Sequence, residues 1–167
     1  MKPKKSKASE SFYDTFESPV GTLFLIFTGK SLTGINFDRP GVLLKKATTL
    51  PIKKELRDFF EKGLEVFNQR ISLIKGSEFD KKIWLTLREI PYGETRTYKW
   101  LAERAGRPKA SRAVGQALSR NPLPIVLPCH RIIESDGSIG GYSAGVDIKR
   151  RLLDIEYYVK LGKKSEA

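Results

Sequence analysis

The sequence is poor in cysteine and histidine and has no long hydrophobic run. Its 167 residues include one cysteine, Cys129, and one histidine, His130. A disulfide within the chain is therefore excluded, and an ordinary zinc site with Cys and His ligands cannot be built. No apolar segment approaches the ~18 residues of a membrane-spanning helix, and residues 1–10 lack the apolar stretch of a signal peptide. These absences predict a cytoplasmic protein with a reduced thiol, no metal and no membrane partner.

Acidic residues are also scarce. Asp and Glu total 19 against 31 Lys and Arg, which gives a formal net charge of +12. This charge indicates a polyanionic partner, and nucleic acid is the main candidate. A basic soluble protein without such a partner is the alternative. Hydrophobic residues make up 40% and charged residues 30%, as in ordinary globular proteins, so we expect disorder only near the chain ends.

Three apolar segments near the N-terminus predict an antiparallel sheet. They are rich in aromatic and β-branched residues, end at Gly or Pro turns, and cover residues 12–16, 22–27 and 31–37. A helix is predicted from Ile52 to Gln69. Its apolar residues recur close to helical spacing, and they are Leu56, Phe59, Phe60, Leu64 and Phe67.

The rest of the chain is predicted to be mainly helical. One helix fits residues 77–90, and two shorter helices fit residues 98–105 and 110–118, with Gly106 between them. Two short helices joined by a tight turn that contains glycine have the shape of a helix-turn-helix. A further helix fits residues 147–161.

The predicted fold class is therefore α+β. Lys75-Gly76 is interpreted as a joint between two lobes. The predicted organisation is a disordered basic tail over residues 1–11, an α/β lobe with a three-stranded antiparallel sheet and a helix over residues 12–76, and a mainly helical domain over residues 77–167.

The segment of the two short helices is strongly basic. Between Arg96 and Arg131, eight cations face one acid, Glu103. A phosphate-facing surface accounts for this concentration. On the second short helix, Ser111 and Gly115 lie off the apolar face, where small residues let the backbone approach DNA. Tight helix packing is the alternative.

Cys129 and His130 share one tetrapeptide, Pro128-Cys129-His130-Arg131, which follows an apolar stretch. We therefore expect Cys129 in the interior or on the floor of a cleft. A thiol is nucleophilic as the thiolate, and an imidazole lowers its pKa or accepts its proton. A lone buried cysteine is also often only a core residue. Neighbours on an extended strand point to opposite faces, so His130 reaches the thiol only around a bend or through a water.

Two features follow the tetrapeptide. Residues 139–145 form a glycine-rich loop, which is either a plain connection or a place where backbone amides and Tyr142 approach a flat ligand. Glu156 lies among apolar residues of the last helix. A buried acid needs a partner, and His130 is a candidate, whereas solvation near the surface is the alternative.

Five motifs in order resemble one family. They are Ile90 to Tyr98 (IPYGETRTY), Arg112 to Gly115 (RAVG), Asn121-Pro122, Pro128 to Arg131 (PCHR) and Gly140-Gly141-Tyr142. Together they strongly resemble the 6-O-alkylguanine-DNA alkyltransferases, between residues 79 and 156. The first 75 residues match only as the family's variable N-terminal lobe. The resemblance implies a ribonuclease-H-like N-terminal lobe and a winged-helix-like C-terminal DNA-binding domain with a helix-turn-helix.

The resemblance implies a catalytic set of five residues. Cys129 would accept the alkyl group. Glu156 would orient His130, which would take the thiol proton through a bridging water. Asn121 would hold the active-site turn. Tyr98 would help to flip the nucleotide, and would protonate the departing guanine or donate a hydrogen bond to it.

The resemblance also implies a DNA surface and a base pocket. Arg112 would fill the gap left in the base stack, with the second short helix in the minor groove. The implied DNA-binding residues are Thr97, Arg112, Ala113, Gly115, Gln116, Arg120 and Arg131. The implied pocket residues are Ile139, Gly140, Gly141, Tyr142, Ser143, Ala144 and Lys149. Ala144 stands where some members have glycine, which leaves tolerance for bulky alkyl groups open.

The implied function is DNA repair by direct damage reversal. The partner would be double-stranded DNA that contains an alkylated guanine, with no cofactor, and the protein would act as a monomer. Guanine must leave the stack before a thiolate can reach its substituent. The thioether that forms has no carbonyl for water to attack, so each molecule reacts once. A non-catalytic sensor of alkylated DNA and a cysteine hydrolase are the alternatives. Sensors of this kind lack the cysteine, and a hydrolase has no need of the basic helices.

Overall fold

Residues 10–42 and 44–165 are described by a computed structural model. Over these residues the chain is an α+β protein, in which an antiparallel sheet precedes the helices. A disordered tail was predicted over residues 1–11. Residues 1–9 of this tail lie outside the described residues. Its last residue, Ser11, begins the first strand.

The predicted meander forms the sheet. Strands β1 (Ser11–Ser18), β2 (Gly21–Thr28) and β3 (Ser31–Asn36) pair antiparallel in sequence order. A short strand β4 (Lys45–Lys46) adds to the edge, parallel to β1. The sheet therefore has four strands, whereas three were predicted. Strand β4 was missed because two exposed lysines carry no apolar pattern that indicates a strand.

Helix α1 (Leu50–Lys62) packs on the sheet and is shorter than predicted. Gly63 ends it with φ of 68°, in the left-handed region that glycine adopts without a Cβ penalty. Beyond this point Phe67 still reaches the core, although the chain there is no longer helical. Apolar spacing continued past the glycine, which explains why the predicted helix was too long.

The helical part begins with α2 (Glu78–Thr86), which a 3-10 turn extends over Leu87–Glu89. Helices α3 (Tyr98–Arg104) and α4 (Ser111–Ser119) form the predicted hairpin of short helices. The last helix, α5 (Val146–Ser165), is longer than predicted. Two further short strands, β5 (Arg96–Thr97) and β6 (Ile132–Ile133), pair in parallel.

One hydrophobic core joins the sheet to the helices. It includes Leu25 on β2, Phe59 on α1, Trp84 on α2, Val114 on α4 and Leu152 on α5. The core is thus continuous across the predicted joint at residues 75–76, and the division into two lobes remains a prediction. No helix in the described part of the chain combines the length and the apolar character needed to span a bilayer.

A buried carboxylate fixes the start of α1 to β1. Asp14 is 2% exposed. It accepts hydrogen bonds from the backbone N–H of Thr49 at 2.7 Å, the Thr49 hydroxyl at 2.9 Å and the Thr15 N–H at 2.8 Å, and Lys53 Nζ lies 3.0 Å away. Burial alone raises the pKa of Asp14, but Lys53 and the hydrogen bonds outweigh burial and lower it.

We expect Asp14→Asn to destabilise the fold by about 1–3 kcal/mol, since buried donors lose a charged acceptor. Urea unfolding measures the loss. The depressed pKa means that the contribution is present above about pH 4 and is lost as the pH falls through the folded-state pKa, so the difference from wild type should shrink in acid. Asp58→Asn, which removes exposed ion pairs within α1, is the control and should cost much less. Equal losses would contradict the assignment.

Candidate active site

Cys129 lies on the floor of a cavity. It begins a 3-10 turn, Cys129–Arg131, and is 6% exposed. The cavity has a volume of about 280 Å³, close to the lower end of ligand pockets, about 300 Å³. Its other lining residues are Tyr98, Gly115, Leu118, Ser119, Gly141, Tyr142 and Ser143. The turn also removes the restriction that an extended strand would place on Cys129 and His130.

His130 is held by Glu156 of α5. Both side chains are buried, and His130 Nε2 lies 2.6 Å from Glu156 Oε1. Because Nε2 faces a carboxylate, Nε2 carries the proton and Nδ1 is the unprotonated nitrogen. Within the described residues Nδ1 has no hydrogen-bond partner. The imidazole can therefore accept a proton at Nδ1.

Arg131 has a different place from the predicted DNA surface. It is 4% exposed, so it cannot reach a phosphate from outside. Its Nε lies 3.0 Å from both carboxylate oxygens of Glu156, and its Nη2 lies 2.8 Å from Oε1. Nη1 donates to the carbonyl of Ile90 at 2.7 Å, and the guanidinium lies over the ring of Tyr92. Arg131 is therefore part of the interior network around Glu156.

The network keeps Glu156 ionised and His130 neutral. Burial alone raises the pKa of Glu156, but His130 and Arg131 outweigh burial and lower the pKa to about 2. Burial lowers the pKa of His130, more than the Glu156 carboxylate raises it. At neutral pH the pair is thus a carboxylate that accepts from a neutral imidazole, which is the protonation state of a general base.

Cys129 is a protonated thiol at rest. Burial raises its pKa, whereas Asn121 and Tyr142, which lie beside the sulfur, and the positive charge of Lys149 lower it. The first effect is larger, so the thiolate must be formed when it is needed. A proton acceptor near the thiol is therefore required for chemistry at neutral pH.

Asn121 holds the turn that leads to Cys129. Its Nδ2 donates to the carbonyl of Leu127 at 2.8 Å, and its Oδ1 accepts from the N–H of Leu123 at 3.0 Å. Within this turn Ile125 has φ of 75°, although its side chain is β-branched. Such a conformation costs about 1–3 kcal/mol and persists only where the surroundings determine it. The turn is therefore fixed from both ends.

The predicted pocket loop lies at the cavity. Gly141, Tyr142 and Ser143 line it, while Ile139, Gly140 and Ala144 are half-buried in the same loop. Gly140 has φ of 73°, and a Cβ there would stand 3.5 Å from the Tyr98 hydroxyl. Glycine is favoured at this position by the positive φ, since the Tyr98 hydroxyl at 3.5 Å would leave ordinary contact distance for a Cβ.

Lys149 supports the pocket from behind and does not line it. It is 1% exposed, and its Nζ donates to the carbonyls of Ile132 at 2.6 Å and Gly141 at 3.1 Å. The ammonium group is thus used to hold the backbone of the loop, which differs from the predicted place in the pocket wall.

The predicted DNA-binding residues of α4 are at the surface. Arg112 and Gln116 are exposed, and Ala113 is half-buried. Gly115 lies at the cavity rim, where an added Cβ would meet nothing within 4 Å. The outer side of α4 therefore leaves open space beside the cavity. Thr97 caps α3, since its hydroxyl accepts from the N–H of Trp100 at 3.0 Å.

Several cations of the basic segment are already paired. Arg120 lies 2.8 Å from Asp80, although its side chain remains 54% exposed, and Arg104 lies 2.6 Å from Glu89. Arg96 and Arg131 also have acidic partners. The exposed cations of this segment without an ion pair in the described part of the chain are Lys99, Arg107, Lys109 and Arg112. The charge available to phosphates is thus smaller than the residue count indicates.

Sequence reasoning missed two partners of Glu156, Arg131 and Gly93. Besides Arg131, the N–H of Gly93 donates to Oε2 at 2.9 Å, and Arg131 reaches Ile90, so both ends of the Pro91-Tyr92 segment join the network. The missed signal was that a fully buried carboxylate needs several donors, and one imidazole supplies only one. Within the described residues no cluster of His, Cys, Asp and Glu could hold a metal ion.

The fold and the site define an α+β protein with a single cysteine whose thiol opens into a ligand-sized cavity. Comparison with known proteins identifies the class further. A family model described as 6-O-methylguanine DNA methyltransferase, DNA binding domain, matches residues 78–158. The methylated-DNA–protein-cysteine methyltransferase of Methanosarcina barkeri is 41% identical over 157 residues, which are 87% of this chain and 96% of the relative. That of Haemophilus influenzae is 38% identical, over 93% of this chain and 91% of the relative.

Solved structures give the same result. The crystal structure of Mycobacterium tuberculosis OGT in complex with DNA matches with a TM-score of 0.81 and 35% identity, over 89% of this chain and 94% of that chain. The O6-methylguanine-DNA methyltransferase of Pyrococcus kodakaraensis matches with a TM-score of 0.68 and 28% identity. The match covers 87% of this chain and 98% of that chain. The chain belongs to the 6-O-methylguanine DNA methyltransferase family.

We expect Arg131→Lys to slow alkyl transfer and to leave DNA affinity unchanged, because lysine keeps the charge but cannot bridge both oxygens of Glu156. Single-turnover transfer and duplex titrations at several salt concentrations measure the two effects. Lys109→Ala removes an exposed cation. It should leave the transfer rate unchanged, weaken DNA binding and lower the salt slope of binding by about one charge. A lower salt slope in Arg131→Lys would return this residue to the DNA surface.

We expect Glu156→Gln to slow transfer by about 10-fold or more, since a positioned general base contributes about 100-fold or more. Without the carboxylate the imidazole is a weaker base, so the apparent pKa of the Cys129 thiol should rise. The pH dependence of thiol modification by a small alkylating reagent measures this pKa. Glu61→Gln, an exposed substitution on α1, is the control. An unchanged thiol titration in Glu156→Gln would argue against the relay.

Proposed function

We propose that this chain repairs DNA by direct damage reversal, and that it moves an alkyl group from the 6-oxygen of guanine to Sγ of Cys129. The observation that carries the proposal is the buried thiol at the cavity floor, whose neighbour in the same turn, His130, is a neutral imidazole with an unpartnered Nδ1 within the described residues. The relatives named above are methylated-DNA–protein-cysteine methyltransferases. The chain is accordingly a methyltransferase that is consumed by its own reaction.

The chemical step is an in-line displacement at a saturated carbon. His130 Nδ1 takes the thiol proton, through a bridging water, and Glu156 stabilises the imidazolium that forms. The thiolate of Cys129 attacks the alkyl carbon, an S–C bond forms and the C–O6 bond breaks. The electron pair of that bond stays on guanine, which takes a proton from Tyr98 or accepts a hydrogen bond from it. The product is a thioether, which water does not hydrolyse.

The base must leave the duplex before the thiol can reach it. Extrusion costs a few kcal/mol. Arg112 is proposed to fill the gap in the stack, because it is exposed on α4 and without an ion pair in the described residues. The open space at Gly115 lets the backbone of α4 approach DNA closely. Gln116, Ala113 and the cap residue Thr97 complete this surface in the proposal.

The cavity is proposed to hold the extruded guanine. Gly141, Tyr142 and Ser143 supply its wall, and Lys149 keeps the backbone of that wall in place. Ile139, Gly140 and Ala144 shape the same loop. Arg120 is paired with Asp80 but remains partly exposed, so its charge contributes to the DNA surface only in part.

The finer organisation is part of the proposal. Residues 12–76 would form a ribonuclease-H-like lobe, and residues 77–167 a winged-helix-like DNA-binding domain in which α3 and α4 are the helix-turn-helix. The turn after β6, in which the N–H of Glu134 donates to the carbonyl of Ser138 at 3.0 Å, is the proposed wing. The proposed form is a monomer, because one copy carries a complete set of site residues. A cytoplasmic location is proposed with it.

The deciding experiment is a titration of product against protein. We expect one equivalent of alkyl group transferred from methylated duplex DNA, with a methyl adduct on Cys129 in the mass spectrum. Cys129→Ala should abolish transfer and leave DNA binding largely intact, because the thiol contacts no phosphate. Many equivalents would indicate a hydrolase, and none would indicate a sensor. An adduct on another residue would contradict the assignment of Cys129 as the alkyl acceptor.

We expect Arg112→Ala to slow repair of duplex DNA far more than reaction with a free alkylated guanine base, which needs no extrusion. The loss on duplex reflects an extrusion penalty on the order of a few kcal/mol. The salt slope of DNA binding should change by no more than about one charge. Lys109→Ala serves as the control for loss of a phosphate contact alone. Equal slowing on duplex and free base would place Arg112 in the pocket or the fold.

A further inference from the structure

The aromatic wall of the cavity has little support from its own loop. Tyr142 lies in residues 139–145, outside any helix or strand. The loop is held by backbone contacts, from the N–H of Gly145 to the carbonyl of Tyr142 at 2.9 Å and from Lys149 to the carbonyl of Gly141. None of these contacts fixes the Tyr142 ring. Its hydroxyl is buried beside the Cys129 sulfur, and it has no hydrogen-bond partner of ordinary geometry within the described residues.

A residue from the sheet supplies a contact with the ring. Phe37 directly follows β3, and its ring meets that of Tyr142 edge to face, with 6.3 Å between centroids and 73° between planes. The end of β3 is itself tied to the active-site turn, since the N–H of Ile35 donates to the carbonyl of Pro122 at 2.9 Å. Phe37 therefore projects from a fixed position.

Open space lies on the far side of the loop. A second cavity, of about 480 Å³, is bounded by the end of β3, Asn121, Pro124, Ser143 and Ala144, and Phe37 lines it too. The loop that carries Tyr142 thus separates two cavities and is not packed against solid protein on both sides. Loss of the Phe37 ring would enlarge the space that Ser143 and Ala144 already border, and we expect Tyr142 then to shift away from the thiol.

We propose that Phe37 is a positioning residue for alkyl transfer, which holds the ring of Tyr142 against the cavity above Cys129. The inference rests on the proposed function, because it assigns Tyr142 to the wall that meets the alkylated base. The N-terminal sheet then has a part in catalysis, through one aromatic contact with the pocket.

The test is the rate of transfer to Phe37→Leu, measured both with a methylated duplex and with 6-O-methylguanine as the free base. An edge-to-face contact of this kind corresponds to a change of about 2- to 10-fold. We expect both rates to fall by this factor, while the affinity for undamaged duplex is unchanged. Phe37→Tyr keeps the ring, so we expect it to transfer at the wild-type rate, unlike Phe37→Leu.

A double-mutant cycle separates positioning from general stability. In a Tyr142→Ala background, Phe37→Leu should slow transfer by less than about 2-fold, because the residue through which it acts is gone. Phe16→Leu is the matched control. Phe16 is a half-buried phenylalanine of β1 that stacks on Phe60 and does not line the cavity, so its variant should lose stability without losing transfer rate.

Three results overturn the proposal. They are a wild-type rate in Phe37→Leu, equal slowing in the two Tyr142 backgrounds, and equal slowing by Phe16→Leu. A wild-type protein that transfers no alkyl group is a separate outcome and overturns the proposed function itself. Urea unfolding of each variant confirms that the compared proteins are folded at the assay temperature.

Discussion

The buried carboxylate of Glu156 is the constraint on which the site depends. A charge that is 1% exposed must be compensated by donors, and two parts of the chain provide them: the turn Cys129–Arg131, through the side chains of His130 and Arg131, and the backbone N–H of Gly93. Each donor fixes the segment that carries it. The same contacts that satisfy the carboxylate therefore hold the turn that carries Cys129 and determine the tautomer of His130.

The N-terminal sheet and α1 belong to this arrangement. Phe59 of α1 meets the ring of His130 edge to face, with 6.4 Å between centroids, and its carbonyl accepts from the Tyr92 hydroxyl. Phe37, which directly follows β3, meets Tyr142 of the cavity wall. The sheet and α1 thus bound the site at two points, which accounts for one continuous core where the sequence indicates two lobes.

The sequence predicted what periodic patterns and short motifs encode. The β1–β3 meander, the α3–α4 hairpin and the pairing of His130 with Glu156 could be read from alternation, helical spacing and unusual residues. The end of α1 at Gly63 and the strand Lys45–Lys46 could not, because a backbone angle and an edge pairing leave little trace in composition. Arg131 was misplaced for a physical reason: a basic count does not distinguish a cation that faces solvent from one that an interior acid has already paired.

Burial of Cys129 also bears on how long the protein survives before it meets damage. A molecule that reacts once is lost to any electrophile or peroxide that reaches its thiolate, since oxidation to sulfenic acid and beyond begins from that form. At 6% exposure, and with a pKa that burial raises, the sulfur is mostly protonated and largely shielded while the cavity is empty. The resting thiol is thus shielded from accidental inactivation, and the number of unreacted molecules equals the number of lesions that can still be removed.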